Sequence, residues 1–206
     1  MTLFSSIRKN AIGLGIFAIF TVGLIAITQY LSATRIQHNR HLYQSRLLFE
    51  IFPQANPDLA DERQPVSSEN FADAKLLNLK TPLPFFSDGE HVILPVTAPN
   101  GYTDAIQLLV GINSDGSIAG VRAIAHQETP GLGDQIDTKK SSWILQFDGK
   151  SIGAPALEQW KVKKDGGAFD QLTGATITPR AVTAAVKNAL LFFRLNRDKL
   201  LAMGRG

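Results

Sequence analysis

Two short segments hold the residues best able to do chemistry. The first, DQLTGATITPR at positions 170–180, sets Thr173 and Thr176 around Gly174 and Ala175, just ahead of a run with helical apolar periodicity. A helix start exposes unpaired backbone N–H groups and carries a partial positive charge, so an anion is stabilised there. Small side chains, two hydroxyls and a pliant backbone are what a phosphate would need. A plainer account is also open: Thr178 caps the helix and Pro179 takes its first position. On the residues alone the plain cap is the more economical of the two. The second segment, HQETPGLGD at 126–134, gathers His126, Glu128, Thr129, Leu132 and Gly133 in one loop. Its glycines let a ligand approach the backbone closely, but an ordinary polar turn uses the same residues. A lone histidine is more often a hydrogen-bonded strand-end residue than a base or ligand.

Composition narrows the chemistry. The 206 residues contain no cysteine, which removes disulfides, thiolate nucleophiles, thiolate zinc sites and cysteine-ligated clusters together. Any redox chemistry must use a borrowed cofactor. The net charge is only +3, without a basic cluster interleaved with aromatics, so nucleic acid is not an expected partner. No Gly-x-Gly-x-x-Gly run marks a dinucleotide site.

The elements that must position the two segments can be read from periodicity. HVILPVT, AIQLLVGI and SIAGVRAIAH read as strands, the last two joined by the turn residues NSDG. SSWILQF suggests a short helix and WKVKK a strand. The final helix starts near Thr178 and buries Val182, Val186, Ala189, Leu190 and Phe193. Residues 53–90, rich in Pro, Asn, Asp and Ser, read as an irregular connector with one short helix near Ala72–Leu77. Strands grouped before helices predict an α+β domain with a mostly antiparallel sheet and flanking helices.

Ahead of this lies AIGLGIFAIFTVGLIAIT, within an uncharged stretch from Ala11 to Ser32. It is long enough to cross a bilayer as a helix and longer than the apolar core of a signal peptide, so it is read as an uncleaved transmembrane anchor. Residues 32–52, without Pro or Gly, continue that helix or follow it closely. Arg8 and Lys9 precede the anchor while Arg35, Arg40 and Arg46 follow it, so charge does not orient it. The expected division is an N-terminal tail and anchor at 1–33, a juxtamembrane helix and connector at 34–90, and the core domain at 91–206.

DQLTGAT resembles the flavinylation motif of covalent FMN-binding domains, Asp-x-x-(Ser/Thr)-Gly-Ala-(Thr/Ser). HQETPGLG resembles the His-x-Glu-Thr-Pro-Gly-Leu-Gly loop of the same family, in the expected order and separation. With the anchor, the chain resembles the RnfG/RsxG family of the Rnf/Rsx ion-translocating electron-transport complexes over essentially its full length. A related component of the Na⁺-translocating NADH:quinone reductase shares the domain. The resemblance implies FMN joined through its phosphate to Thr176 by an ApbE-type flavin transferase. It places Thr173, Gly174 and Ala175 around the attachment point and assigns Asp170 to the transferase reaction. Glu128, Thr129, Leu132 and Gly133, with His126 in the same loop, become ring and ribityl contacts; Lys163 and Lys164 are candidates to offset phosphate charge. It also implies a bacterial inner-membrane protein with one span, a periplasmic flavin domain, and the other members of a membrane complex as partners. An electron relay is then expected, without catalysis of its own. A flavoenzyme acting on a small molecule would need acid–base groups, for which only His126 and Glu128 are at hand. A non-redox scaffold would carry no flavin.

Overall fold

The computed structural model describes residues 2–52, 64–66, 71–80 and 83–204. The chain divides into two compact units, Met1–Gln44 and Ser45–Gly206. The first consists of most of helix α1, which runs unbroken from Thr2 to Ile51. Within it, Asn10–Ala33 has a mean hydropathy of 2.4 and none of it is buried, so it is one helix long and apolar enough to cross a membrane. Phe17, Ile19, Phe20 and Leu24 all face outward, as lipid contact requires. The hydroxyls of Thr21 and Thr28 donate to the carbonyls of Phe17 and Leu24, each at 2.8 Å, which satisfies them without water.

The second unit is an α+β domain built on an antiparallel sheet with strand order β1-β2-β3-β4-β5. The strands are β1 (Gln64–Val66), β2 (Leu83–Ser87), β3 (His91–Ala98), β4 (Ile106–Asn113) and β5 (Ile118–Ala125). Helix α2 (Ile177–Ala202) packs over β3 and β4. In β3, Val92, Leu94, Val96 and Ala98 alternate onto the face that meets α2, as the two-residue strand period demands. They pair with Ile112, Val110, Leu108 and Ile106 of β4. In β5 Val121 and Ala123 alternate onto the same face, and the register shift opposite Gly111/Ile112 brings Ile118 into phase with them. The β4–β5 turn closes by Asn113 N–H to Ser117 O at 2.8 Å, with Gly116 supplying a left-handed residue at φ +89.

α2 presents Val182, Ala185, Val186, Ala189, Leu190 and Phe193 at three- and four-residue intervals, all at most 2% exposed. Each large side chain so buried contributes roughly 1.5–3 kcal/mol relative to exposure. The last residues of α1 close the opposite face. Ile51 and Phe52 are buried against Gly111, where an added Cβ would stand 2.2 Å from Ile51 Cγ2. Arg122 donates to the Glu50 carboxylate at 3.4 Å and to the Glu50 carbonyl at 3.3 Å, holding the helix end.

Three expectations need correction. The stretch 53–90 is not wholly irregular, because β1 and β2 come from it and extend the sheet; their short length and prolines concealed them. The short helix there is a 3-10 turn at Ala74–Leu77. WKVKK is not a strand: Trp160 is buried, Val162 forms a single bridge with Phe169, and Lys163–Asp165 is a 3-10 turn. Its apolar alternation serves an aromatic cluster instead, in which Trp160 and Phe169 each approach Phe147, at 6.4 and 4.8 Å between ring centroids.

Candidate functional site

The 170–180 segment is a tight turn delivered onto a helix start. Ala175 N–H donates to Leu172 O at 3.2 Å, and Gly174 between them sits at φ +79. That is the third position of a type II turn, where a side chain is strained. A second reason for glycine is a neighbour: a Cβ on Gly174 would lie 2.8 Å from Leu132 Cδ2. Leu132 belongs to the other motif, which turns the same way. Leu132 N–H donates to Thr129 O at 3.1 Å, with Pro130 and then Gly131 at φ +77 in the middle. Two type II turns, more than forty residues apart in sequence, therefore meet at Gly174 and Leu132.

The helix start differs from its sequence reading. α2 begins at Ile177, so Thr176 is the cap-position residue and Pro179 stands third in the helix. Thr178 is not the cap. It is fully buried, and its hydroxyl donates to Glu128 Oε2. Glu128 Oε1 accepts the Thr103 N–H at 3.3 Å, so one carboxylate ties the 101–104 loop, the 126–134 loop and the start of α2. Gly133 allows this, since a Cβ there would come within 2.7 Å of Glu128 Oε2. Thr176, in contrast, is exposed, and its hydroxyl makes no capping hydrogen bond. It stands exposed at a helix N-terminus.

These parts enclose a cleft of about 240 Å³, lined by Tyr102, Glu128, Thr129, Leu132, Gly133 and the run Gly174–Thr178. The structure thus brings seven of the expected residues together: Glu128, Thr129, Leu132, Gly133, Gly174, Ala175 and Thr176. Thr173 is exposed on the turn and does not line the cleft. His126 lies behind the loop, its Nδ1 accepting the Glu128 N–H at 3.3 Å. Asp170 and Lys163 pair with one another at 2.5 Å, both well exposed. Near them Arg180 grips Asp165 through two hydrogen bonds of 2.6 Å, and this bidentate partner holds the Asp165 carboxyl below its ordinary range.

Sequence reasoning missed several contributors. Tyr102, two-thirds exposed, forms one wall of the cleft, and Ile177 and Thr178 complete it. Gln146 and Trp143 were also overlooked. Trp143 Nε1–H donates to Asp170 O at 2.8 Å, and Asp170 N–H donates to Gln146 Oε1 at 2.6 Å. Both backbone groups of Asp170 are thus held by the 3-10 turn Trp143–Phe147, which fixes where the 170–180 segment begins. No local signal pointed to these pairings, because each spans more than twenty residues.

A helix start beside an exposed hydroxyl, with glycines where a side chain would crowd the cleft, fits the phosphate of a flavin nucleotide.

Comparison with known proteins agrees with this geometry. Residues 101–191 match the model of the FMN-binding domain, and residues 1–51 match the RnfG N-terminal region. The G subunit of the ion-translocating oxidoreductase complex from Pseudomonas aeruginosa UCBPP-PA14 is 48% identical over 204 residues, covering 96% of this chain and 93% of that protein. The proteins of the same description from Vibrio atlanticus and Shewanella piezotolerans are 40% and 39% identical, each over at least 96% of this chain and 94% of their own length. With anchor, cleft and both motifs inside one end-to-end match, the chain belongs to the RnfG family, the G subunits of ion-translocating oxidoreductase complexes.

Proposed function

We propose that this protein is a membrane-anchored flavoprotein subunit that relays electrons through FMN held covalently on Thr176. The observation that carries this reading is the junction of the two motif turns at one cleft, with the unused Thr176 hydroxyl at the start of α2. In maturation the Thr176 hydroxyl gives up its proton, and its oxygen forms a bond to the phosphorus of an activated flavin phosphate as the leaving group departs. An ApbE-type transferase presents that donor, and Asp170 at the start of the same segment, exposed with its partner Lys163, is there for it to engage. When bound, the flavin supplies the electron chemistry. The chain's own residues would orient it: the α2 N–H groups would hold the phosphate, and Tyr102, Leu132 and Ile177 would form the apolar walls. The anchor confines the domain to the membrane plane, which raises the effective concentration of neighbouring subunits. The soluble unit lies on the periplasmic side of a bacterial inner membrane.

Peptide mass spectrometry tests the attachment. Trypsin releases residues 165–180, which contain Thr173, Thr176 and Thr178. Protein co-expressed with a flavin transferase should carry one FMN adduct, localised to Thr176; an unmodified peptide refutes the reading. A C-terminal reporter that works only outside the cytoplasm should be active. The relay reading predicts that the loaded protein stays yellow with NADH alone and bleaches only when the rest of the complex is added. Rapid bleaching by NADH alone would favour a flavoenzyme.

A further inference from the structure

Glu128 stands apart among the acidic residues of the domain. It is 5% exposed and lines the cleft. Its two oxygens are spoken for by Thr103 N–H and the Thr178 hydroxyl, both neutral donors. Gly101 and Gly133 press on it from either side: added Cβ atoms there would come within 2.9 Å of Oε1 and 2.7 Å of Oε2. Among the described residues no Lys, Arg or His forms an ion pair with it, whereas Asp88, Asp134, Asp165 and Asp170 each have one. His126, its nearest titratable neighbour in sequence, accepts the Glu128 N–H at Nδ1 and so presents a lone pair to the residue. The α2 N-terminus, which reaches the carboxylate through Thr178, carries a partial positive charge of roughly half a unit. A carboxylate so deeply placed without a cation is costly to a fold, because its charge is offset by dipoles alone. A leucine and a valine at positions 128 and 178 would close the same three segments at lower cost.

We infer that Glu128 is a positioning residue whose uncompensated charge sets a low reduction potential for the flavin held in this cleft. This rests on the flavin reading above. The reasoning is electrostatic. An electron added to a group in the cleft increases negative charge beside a fixed negative charge, which disfavours the reduced form. The Thr178 hydroxyl donates to Oε2 and so offsets part of that charge; the carboxylate's effect and the hydroxyl's therefore have opposite signs.

The experiment uses the full-length, flavin-loaded protein in detergent, with dithionite as electron donor, mediators, and optical readout of the midpoint potential. Glu128→Gln removes the charge and should shift the one-electron equilibrium toward the reduced form by at least about tenfold, or about 59 mV upward. Thr178→Val keeps the charge and removes its donor, and should shift the potential downward. Both substitutions should lower the melting temperature of the flavin-free protein, since both open the clasp. Opposite signs in potential alongside the same sign in stability distinguish a charge effect from loosened packing. Unchanged potentials, or shifts of one sign in both variants, overturn the inference. If Glu128→Gln fails to fold or load, the downward shift in Thr178→Val decides alone. Absence of flavin from Thr176 in the wild-type protein would instead sink the flavin reading, so the two failures remain distinct.

Discussion

Substituting three glycines one at a time separates what the backbone costs from what the contact between the two motifs contributes. Gly131 and Gly174 occupy equivalent turn positions, at φ +77 and φ +79. An added Cβ on Gly131 meets nothing within 4 Å, whereas one on Gly174 stands 2.8 Å from Leu132 Cδ2. Gly131→Ala therefore carries only the left-handed penalty, roughly 1–2 kcal/mol. In a domain of this size that lowers the melting temperature by about 2–8 °C. Gly174→Ala carries the same penalty and also pushes Leu132 out of its place on the cleft wall. Leu132 is 40% exposed, so Leu132→Ala alone should cost little. Combined with Gly174→Ala it should recover part of the loss, with a coupling energy of about 0.5–3 kcal/mol. Gly133→Ala has no left-handed penalty but strikes the Glu128–Thr178 pair. The assay is thermal unfolding of the flavin-free protein, with flavin content after co-expression scored in parallel. Gly131→Ala should load normally and Gly174→Ala poorly. If Gly131→Ala and Gly174→Ala melt together and the double variant is additive, the two turns do not meet as described, and the cleft argument fails with them.

Other substitutions probe the remaining links. Thr176→Val should abolish the fluorescent flavin band on a denaturing gel, yet leave stability within about 0.5 kcal/mol, because the side chain is exposed and caps nothing. Gln146→Leu loses the acceptor for Asp170 N–H but also removes a buried, unpartnered Nε2. One lost hydrogen bond of roughly 1 kcal/mol against one relieved polar atom should leave the melting temperature nearly unchanged while flavin attachment slows. Asp165 should titrate below the ordinary aspartate range, since Arg180 favours its charged form. Its favourable contribution is then present above the ordinary carboxylate pKa and is lost as pH falls through the lower folded value. Carboxyl NMR should show this, and Arg180→Ala should return the titration toward normal.

Much of this protein is legible without coordinates, for definite reasons. A span of about twenty apolar residues is a property of consecutive positions, and so is the two-residue period of β3, β4 and β5. The stripe from Val182 to Phe193 is likewise local, and all of these elements stand as read, with Ile118 of β5 brought into phase by one register shift. The two motifs were visible because tight turns need glycine at fixed offsets, a demand made within four residues. What the sequence could not decide is which distant groups those turns would meet. The choice between Thr176 and Thr178 as cap turned on a carboxylate fifty residues away: once Glu128 takes the Thr178 hydroxyl, α2 starts a residue earlier than Thr178 and the Thr176 hydroxyl is left over. WKVKK alternates like a strand, yet among the described residues its one β-bridge is Val162 to Phe169, and its tryptophan goes to the aromatic cluster. Short β1 and β2 have no period to detect; β2 forms on the edge that β3 offers, and β1 on the edge that β2 offers in turn. Local periodicity is written in the chain, but hydrogen-bond partners and packing across long loops are chosen when the sheet and α2 close on each other.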